Sequence, residues 1–253
     1  PYFTATAWYH KKLPDDLQNK YLPQVLALSE DYSINQLMPL MAKGNSATNE
    51  EKQEAAKTMA RFSGISEKAI LSYNLDVPTT FFWKELLRDE GYTIGRLDSR
   101  YKGIDKIAGG DRPDYWAELT SWNHSFAPAI NYYFKNILKF ETDVKYNLFG
   151  SVRPWDWKNN NSGESLRKAM AANPYLHTMI QSGYYDGATR YFDAKYTMWQ
   201  LDPSGKMKDR LSFEGYRSGH MMYLREVDLI KSNSDIRKFI KKTTPSSNEP
   251  AKY

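Results

Sequence analysis

The apolar positions change rhythm along this chain. Tyr2 to His10 is an almost unbroken apolar and aromatic stretch, the pattern of a short buried strand, and it ends at the turn-prone run from Lys11 to Asp16. Helical spacing follows. Leu17, Tyr21, Val25 and Leu28 recur every three or four residues, and Ile34, Leu37, Leu40 and Met41 continue to a stop at Gly44. Thr48 and Glu51 form a capping-box pair that opens a charged helix ending at Gly64. Thr80 is placed to cap a further helix through Phe81, Leu86 and Leu87, with Gly91 beyond its end. After Gly91 the pattern alternates. Strands are predicted at Thr93–Leu97, Val144–Phe149, Leu176–Gln181 and Leu211–Tyr216, and helices at Phe126–Phe140, Glu164–Ala172 with Ser162 as cap, Thr189–Leu201 and Ser234–Lys242. Alternation of this kind predicts an α/β protein with a mostly parallel sheet flanked by helices. The expected division is a core segment at 1–12, an inserted helical cap at 13–98, the rest of the core at 99–245 and a flexible tail at 246–253.

Composition excludes several function classes. The net charge of +5 comes from 35 Lys and Arg against 30 acids spread along the chain, with no basic block or aromatic platform for nucleic acid. Without cysteine there is neither a disulfide nor thiolate chemistry. No run approaches the roughly 18 apolar residues of a membrane helix. Neither nucleic acid nor a membrane is therefore an expected partner. The histidines lack metal-site spacing and no glycine-rich phosphate loop occurs, so no cofactor is expected.

Candidate chemistry sits in two turns. The chain has four histidines; His177 falls inside a predicted strand and His124 near the start of a predicted helix, where a histidine is ordinarily structural. His10 has no carboxylate motif beside it. His220 differs, because the strand Leu211–Tyr216 runs directly into Arg217-Ser218-Gly219-His220. Ligands and reacting groups in open α/β sheets collect at that C-terminal edge. One strand earlier, Leu176–Gln181 leads to Asp186 in the turn Ser182 to Thr189, the carboxylate a histidine base needs to hold its tautomer. A single crossover unit separates the two, so adjacent parallel strands would bring them to one edge. Asp before Gly is equally ordinary turn chemistry, and both readings stay open on spacing alone.

The segments GYYDGATRYFDAKYTMWQL and LSFEGYRSGHMMYL resemble the acid and base regions of the serine carboxypeptidases, and the opening ATAWYHKKL resembles the start of the cap in bacterial members. The resemblance implies a partial α/β-hydrolase core carrying a helical cap. It makes Asp186 the triad acid, His220 the triad base and Met221 a lining residue of the subsite for the substrate's C-terminal residue. Ser218 departs from the family pattern, where many members have a second glycine. The implied activity is release of C-terminal amino acids from peptides through an acyl-enzyme, with peptide as substrate and a periplasmic or secreted location. An esterase or acyltransferase on the same scaffold, or a binding domain that has lost the chemistry, is the alternative.

The nucleophile of this fold sits in a G-x-S-x-G elbow ahead of the acid. No such motif occurs here; Gly163-Glu164-Ser165-Leu166-Arg167 has arginine at the second glycine, and no buried strand precedes it. Ser165 therefore reads as a first-turn helix residue. The chain opens on Pro1-Tyr2-Phe3, and the resemblance places the serine and the oxyanion hole upstream, in an N-terminal half of the same enzyme. The isolated chain is expected to resist fluorophosphonate labelling, read by intact mass, and a label on Ser165 would overturn this reading.

Overall fold

The computed structural model describes residues 1–156, 158 and 160–245, and the predicted tail at 246–253 lies outside them. Helices α1 (Tyr2–Tyr9), α2 (Asp15–Gln18), α3 (Leu22–Tyr32), α4 (Met38–Ala42), α5 (Asn49–Ser63), α6 (Glu67–Ser72) and α7 (Thr79–Glu85) come first. Strands β1 (Thr93–Ile94) and β2 (Lys102–Gly103) follow, then α8 (Ala117–Tyr132), α9 (Ser162–Ala172), β3 (Thr178–Gly183), α10 (Tyr191–Leu201), β4 (Leu211–Tyr216) and α11 (Glu226–Thr243). The chain is 55% helix and 7% strand, a mixed composition compatible with the α/β class. Its sheets are small. β3 and β4 pair in parallel, β1 and β2 antiparallel, and no wider hydrolase sheet occurs among the described residues.

The opening stretch is a helix and not the expected strand. α1 lies between two apolar clusters: Tyr2 and Ala7 face Val25, Ala56 and Phe82, while Ala5 faces Leu22, Leu26, Tyr185 and Phe192. A helix buried on all sides shows no 3.6-residue period, so its sequence resembles a buried strand. Its hydroxyls are paired where they are buried, Thr4 with Ser29 and Thr6 with Ser99, both at 2.7 Å. Phe3 stacks on Phe82 with ring centroids 3.9 Å apart, and the Trp83 indole N–H donates to the Tyr2 hydroxyl at 2.9 Å.

Several other expectations shift for local reasons. Tyr21 is extended (φ −64°, ψ 141°) and starts α3, so the apolar phase restarts at Leu22, leaving Tyr21 and Leu28 exposed. A π-helical turn at Ser33–Leu37 resets it again before Pro39 in the first turn of α4. In α5 both halves of the capping box are made, Glu51 N to Thr48 Oγ1 at 3.2 Å and Thr48 N to Glu51 Oε2 at 2.9 Å, and Gly64 closes the helix at φ +71°. Thr80 lies inside α7, which starts after Pro78. Val144–Phe149 is irregular, with Val144, Tyr146 and Phe149 exposed and no strand beside them. α8 begins at Ala117, ahead of Phe126, and α11 at Glu226, ahead of Ser234. Ser162 is the first residue of α9 and makes no cap bond; Asn161 precedes it.

α11 turns its polar face inward. Asp228, Ser232 and Asp235 are buried, while Val227, Ile230 and Ile240 are more than half exposed at 62%, 63% and 56%. The Tyr216 hydroxyl donates to Asp235 at 3.0 Å and accepts from Gln181 at 2.7 Å, and burial pushes this phenol up to about 12. The helix is thus held to the sheet by hydrogen bonds, and its apolar stripe is left on the surface.

Among the described residues, the most deeply buried ion pair joins α7 to the loop after β2. Lys84 and Asp105 are 2% and 3% exposed, and the Lys84 ammonium also donates to the Ile107 carbonyl at 2.6 Å. Removing one charge strands the other away from water, whereas replacing both with apolar groups does not. Asp105→Ala is expected to lower the unfolding free energy by about 3–5 kcal/mol in urea titrations, and Lys84→Met with Asp105→Leu to recover most of it.

Candidate active site

The site is built where the two parallel strands end. Their register runs from Thr178 opposite Leu211 to Gly183 opposite Tyr216, so both chains leave the sheet at the same level. The pairing continues past the strands: Tyr184 N donates to Tyr216 O at 2.9 Å and Tyr185 N to Ser218 O at 3.0 Å. Asp186 and His220 follow at once. Their side chains meet, with His220 Nδ1 2.8 Å from Asp186 Oδ2; the carboxylate is buried (4% exposed) and the imidazole half exposed (44%). An ionised carboxylate only accepts, so Nδ1 carries a proton, and in the neutral ring Nε2 is the lone pair. No hydrogen bond reaches Nε2 among the described residues, and the ring is half exposed.

The two oxygens of Asp186 divide the work. Oδ1 accepts from Ala188 N at 2.8 Å and Thr189 N at 3.1 Å, closing the turn that leads into α10. Oδ2 accepts from His220 and from the Thr189 hydroxyl at 2.5 Å. The turn role and the histidine-orienting role, alternatives on spacing alone, are both carried by one carboxylate.

A strap from the end of the helical region fixes both turns from below. Residues 95–100 follow β1, where only Thr93 and Ile94 of the expected strand are paired. Arg96 O accepts from Gly187 N and Ser99 N donates to Tyr185 O, both at 2.9 Å, which holds the Asp186 turn. Leu97 O accepts from His220 N at 2.7 Å, and the Arg100 guanidinium donates to Arg217 O at 3.0 Å, which holds the His220 turn. Contact with the second turn is close: a Cβ on Gly219 would lie 2.5 Å from both Leu97 O and the Asp98 Cβ. Any side chain there would drive the strap off the turn and move the histidine. Ser218, fully buried, donates its hydroxyl to Asp228, which Arg225 also holds at 2.9 Å, so the His220 turn is tied to the first turn of α11 as well.

The remaining sequence-predicted residues are not part of this group. Met221 begins the turn after His220, its carbonyl accepting from Leu224 N at 3.0 Å. His10 binds the Ser99 carbonyl through Nε2 at 2.7 Å, and burial lowers its proton affinity, so its neutral N–H donates to the strap. His124 caps back on its own helix at the Thr120 carbonyl, 2.5 Å away, and His177 lies just before β3. Ser165 lies in α9, with its backbone N–H on Asn161 O at 2.9 Å. Sequence reasoning missed Thr189, the strap and the Ser218–Asp228 bond. Only Thr189 had a local signal, since Asp three residues before a threonine at a helix start is a common side-chain turn. Comparison of the chain with protein-family models, curated proteins and solved structures gave no match.

Glu118 of α8 supports the strap and carries a charge problem. It is fully buried, its Oε1 accepts from Leu97 N at 2.7 Å, and its Oε2 has no partner among the described residues. Desolvation pushes its carboxyl above the usual 4.5. A raised folded value favours the protonated fold, so its contribution is full below the ordinary carboxylate range and is lost as pH rises through the raised value. Glu118→Gln is expected to melt higher than the parent at pH 8, with the gap closing on acidification to about pH 4. A gap independent of pH in thermal melts would remove this account.

Proposed function

We propose that this chain carries the acid and base of a serine-type carboxypeptidase, on part of an α/β-hydrolase core bearing a helical cap. The observation that supports it most is the 2.8 Å contact between His220 Nδ1 and Asp186 Oδ2 at the adjoining ends of two parallel strands. Convergence of a buried carboxylate on one imidazole nitrogen, with the other nitrogen open, is the arrangement acyl transfer requires. In the proposed cycle a serine supplied by an N-terminal half attacks the last peptide carbonyl while His220 Nε2 takes its proton. The C–N bond then breaks, Nε2 returns the proton to the departing amino acid, and an acyl-serine remains. Water attacks the acyl carbon and gives a proton to Nε2; the ester C–O bond then breaks, Nε2 returns that proton to the serine oxygen, and the shortened peptide leaves. Asp186 holds the Nδ1–H tautomer and stabilises the imidazolium in each half.

Two surface features support a further half of the core. Among the described residues β3 and β4 form a parallel pair with no third strand, whereas parallel sheets are ordinarily wider and covered on both faces. The exposed stripe Val227, Ile230 and Ile240 on α11 offers apolar surface beside it. In this reading Met221 lines the subsite for the terminal residue, and export to the periplasm or medium accompanies the activity.

The test uses the enzyme with both halves present and follows amino-acid release from a peptide with a free carboxylate and from its amide. His220→Ala should lower turnover by several orders of magnitude, and Asp186→Asn by up to about 10⁴-fold through the wrong tautomer. The double variant should be no worse than the poorer single one, because the two act as a unit. Near-normal turnover in His220→Ala would exclude the proposal, and equal cleavage of the amide would redirect it to another acyl transfer.

A further inference from the structure

We infer that Thr189 is a positioning residue that selects the base-competent tautomer of His220, an inference that rests on the acid–base reading of the pair. Its hydroxyl oxygen lies 2.5 Å from Asp186 Oδ2 and 3.3 Å from His220 Nδ1, so it touches both members of the pair at the point where they meet. The direction of the hydroxyl proton follows from its neighbours. Asp186 Oδ2 accepts only, so the Thr189 proton is committed to the carboxylate, and the oxygen presents a lone pair toward the ring. A ring protonated at Nδ1 meets two acceptors there. A ring protonated at Nε2 would turn its own Nδ1 lone pair against the lone pairs of Asp186 Oδ2 and Thr189 Oγ1. The two oxygens thus reject the wrong tautomer together.

The hydroxyl is held where it can do this. Thr189 N is fixed on Asp186 Oδ1 at 3.1 Å, and the next residue, Arg190, binds the Thr79 hydroxyl of α7 at 2.9 Å and pairs with Asp193 in α10. With Ala188 N on Oδ1, the carboxylate receives four donors, two on each oxygen, which pins its rotation. Without the Thr189 hydroxyl, Oδ2 keeps one donor and the ring loses one of the two acceptors that set its tautomer. Thr189 is itself on the surface, so removing the hydroxyl leaves the apolar core untouched.

The tautomer can be read in this chain without a nucleophile. Only four histidines contribute to a ¹⁵N-histidine spectrum, and a His220→Gln difference spectrum identifies the signal. Magic-angle-spinning NMR above pH 8 is expected to show Nδ1–H in the parent and in Thr189→Ser, which keeps the hydroxyl. Thr189→Val, its isostere without one, should raise the Nε2–H population by about fivefold, the worth of one ordinary hydrogen bond. Thr189→Ala serves as a second hydroxyl-free variant, with melting curves establishing that each is folded. An unchanged tautomer ratio in folded Thr189→Val and Thr189→Ala would overturn the inference. In the enzyme with both halves, Thr189→Val should lower kcat with little change in KM, and Thr189→Ser should restore it. A shifted tautomer in an assembly with no hydrolytic activity would retain the positioning role and sink the proposed function; an unshifted one in an active enzyme would do the reverse.

Discussion

The in-register parallel pairing of β3 with β4 is the constraint on which the site depends. Gly183 stands opposite Tyr216, and the next backbone bonds already belong to the two functional turns. A slip of one residue would displace His220 along the strand direction by about 3.3 Å and exchange the faces of β4. The 2.8 Å contact with Asp186 would not survive it. Register here is pinned by side chains on the face that meets α11. Tyr216 reaches Gln181 on the neighbouring strand and Asp235 on α11, so the last rung of the sheet is locked by a buried polar chain.

Coupling between the helical region and the site runs through residues 95–100. Four backbone groups or side chains of that short strap bind one turn or the other, and Glu118 and His10 hold the strap in place. Rearrangement of the helices would therefore be felt at His220 N within one hydrogen bond. Gly219 is the position where this packing is tightest, because strap and turn approach closer than any Cβ allows. Ser218, the departure from the two-glycine pattern, is accommodated because its side chain points away from the strap, toward Asp228.

Several buried polar side chains gather at this end of the molecule, and most of them are bonded. Asp186, Ser218, Asp228 and Asp235 are each buried and each bonded to at least one partner, which favours a single arrangement of the turns over collapsed alternatives. Glu118 Oε2, Thr93 Oγ1 and the Tyr185 and Tyr191 hydroxyls have no hydrogen-bond partner among the described residues, and at Glu118 desolvation is met by a shift toward the protonated form. Apolar packing around α1, in which Phe3, Phe82, Tyr2 and Trp83 interlock, adjoins this end, with the Tyr2 hydroxyl and the Trp83 indole against Gly187.

What the amino-acid sequence determined by itself was local. The bounds of β4, the capping box of α5 and its stop at Gly64, the helical place of Ser165 and the two turns bearing Asp186 and His220 all follow from interactions within a few residues. α1 was illegible because burial on every side erases periodicity, and the apolar phase after Leu17 was misread because an extended Tyr21 and a π-helical turn reset it. Val144–Phe149 has strand-like residues but no neighbouring strand, and β propensity acts only through a partner. Tertiary structure alone decided that Asp186 meets His220, that Thr189 joins them and that the strap lies beneath. Those contacts span from a few to more than a hundred residues of sequence, and their distances depend on sheet register and close backbone approach, which no local pattern encodes.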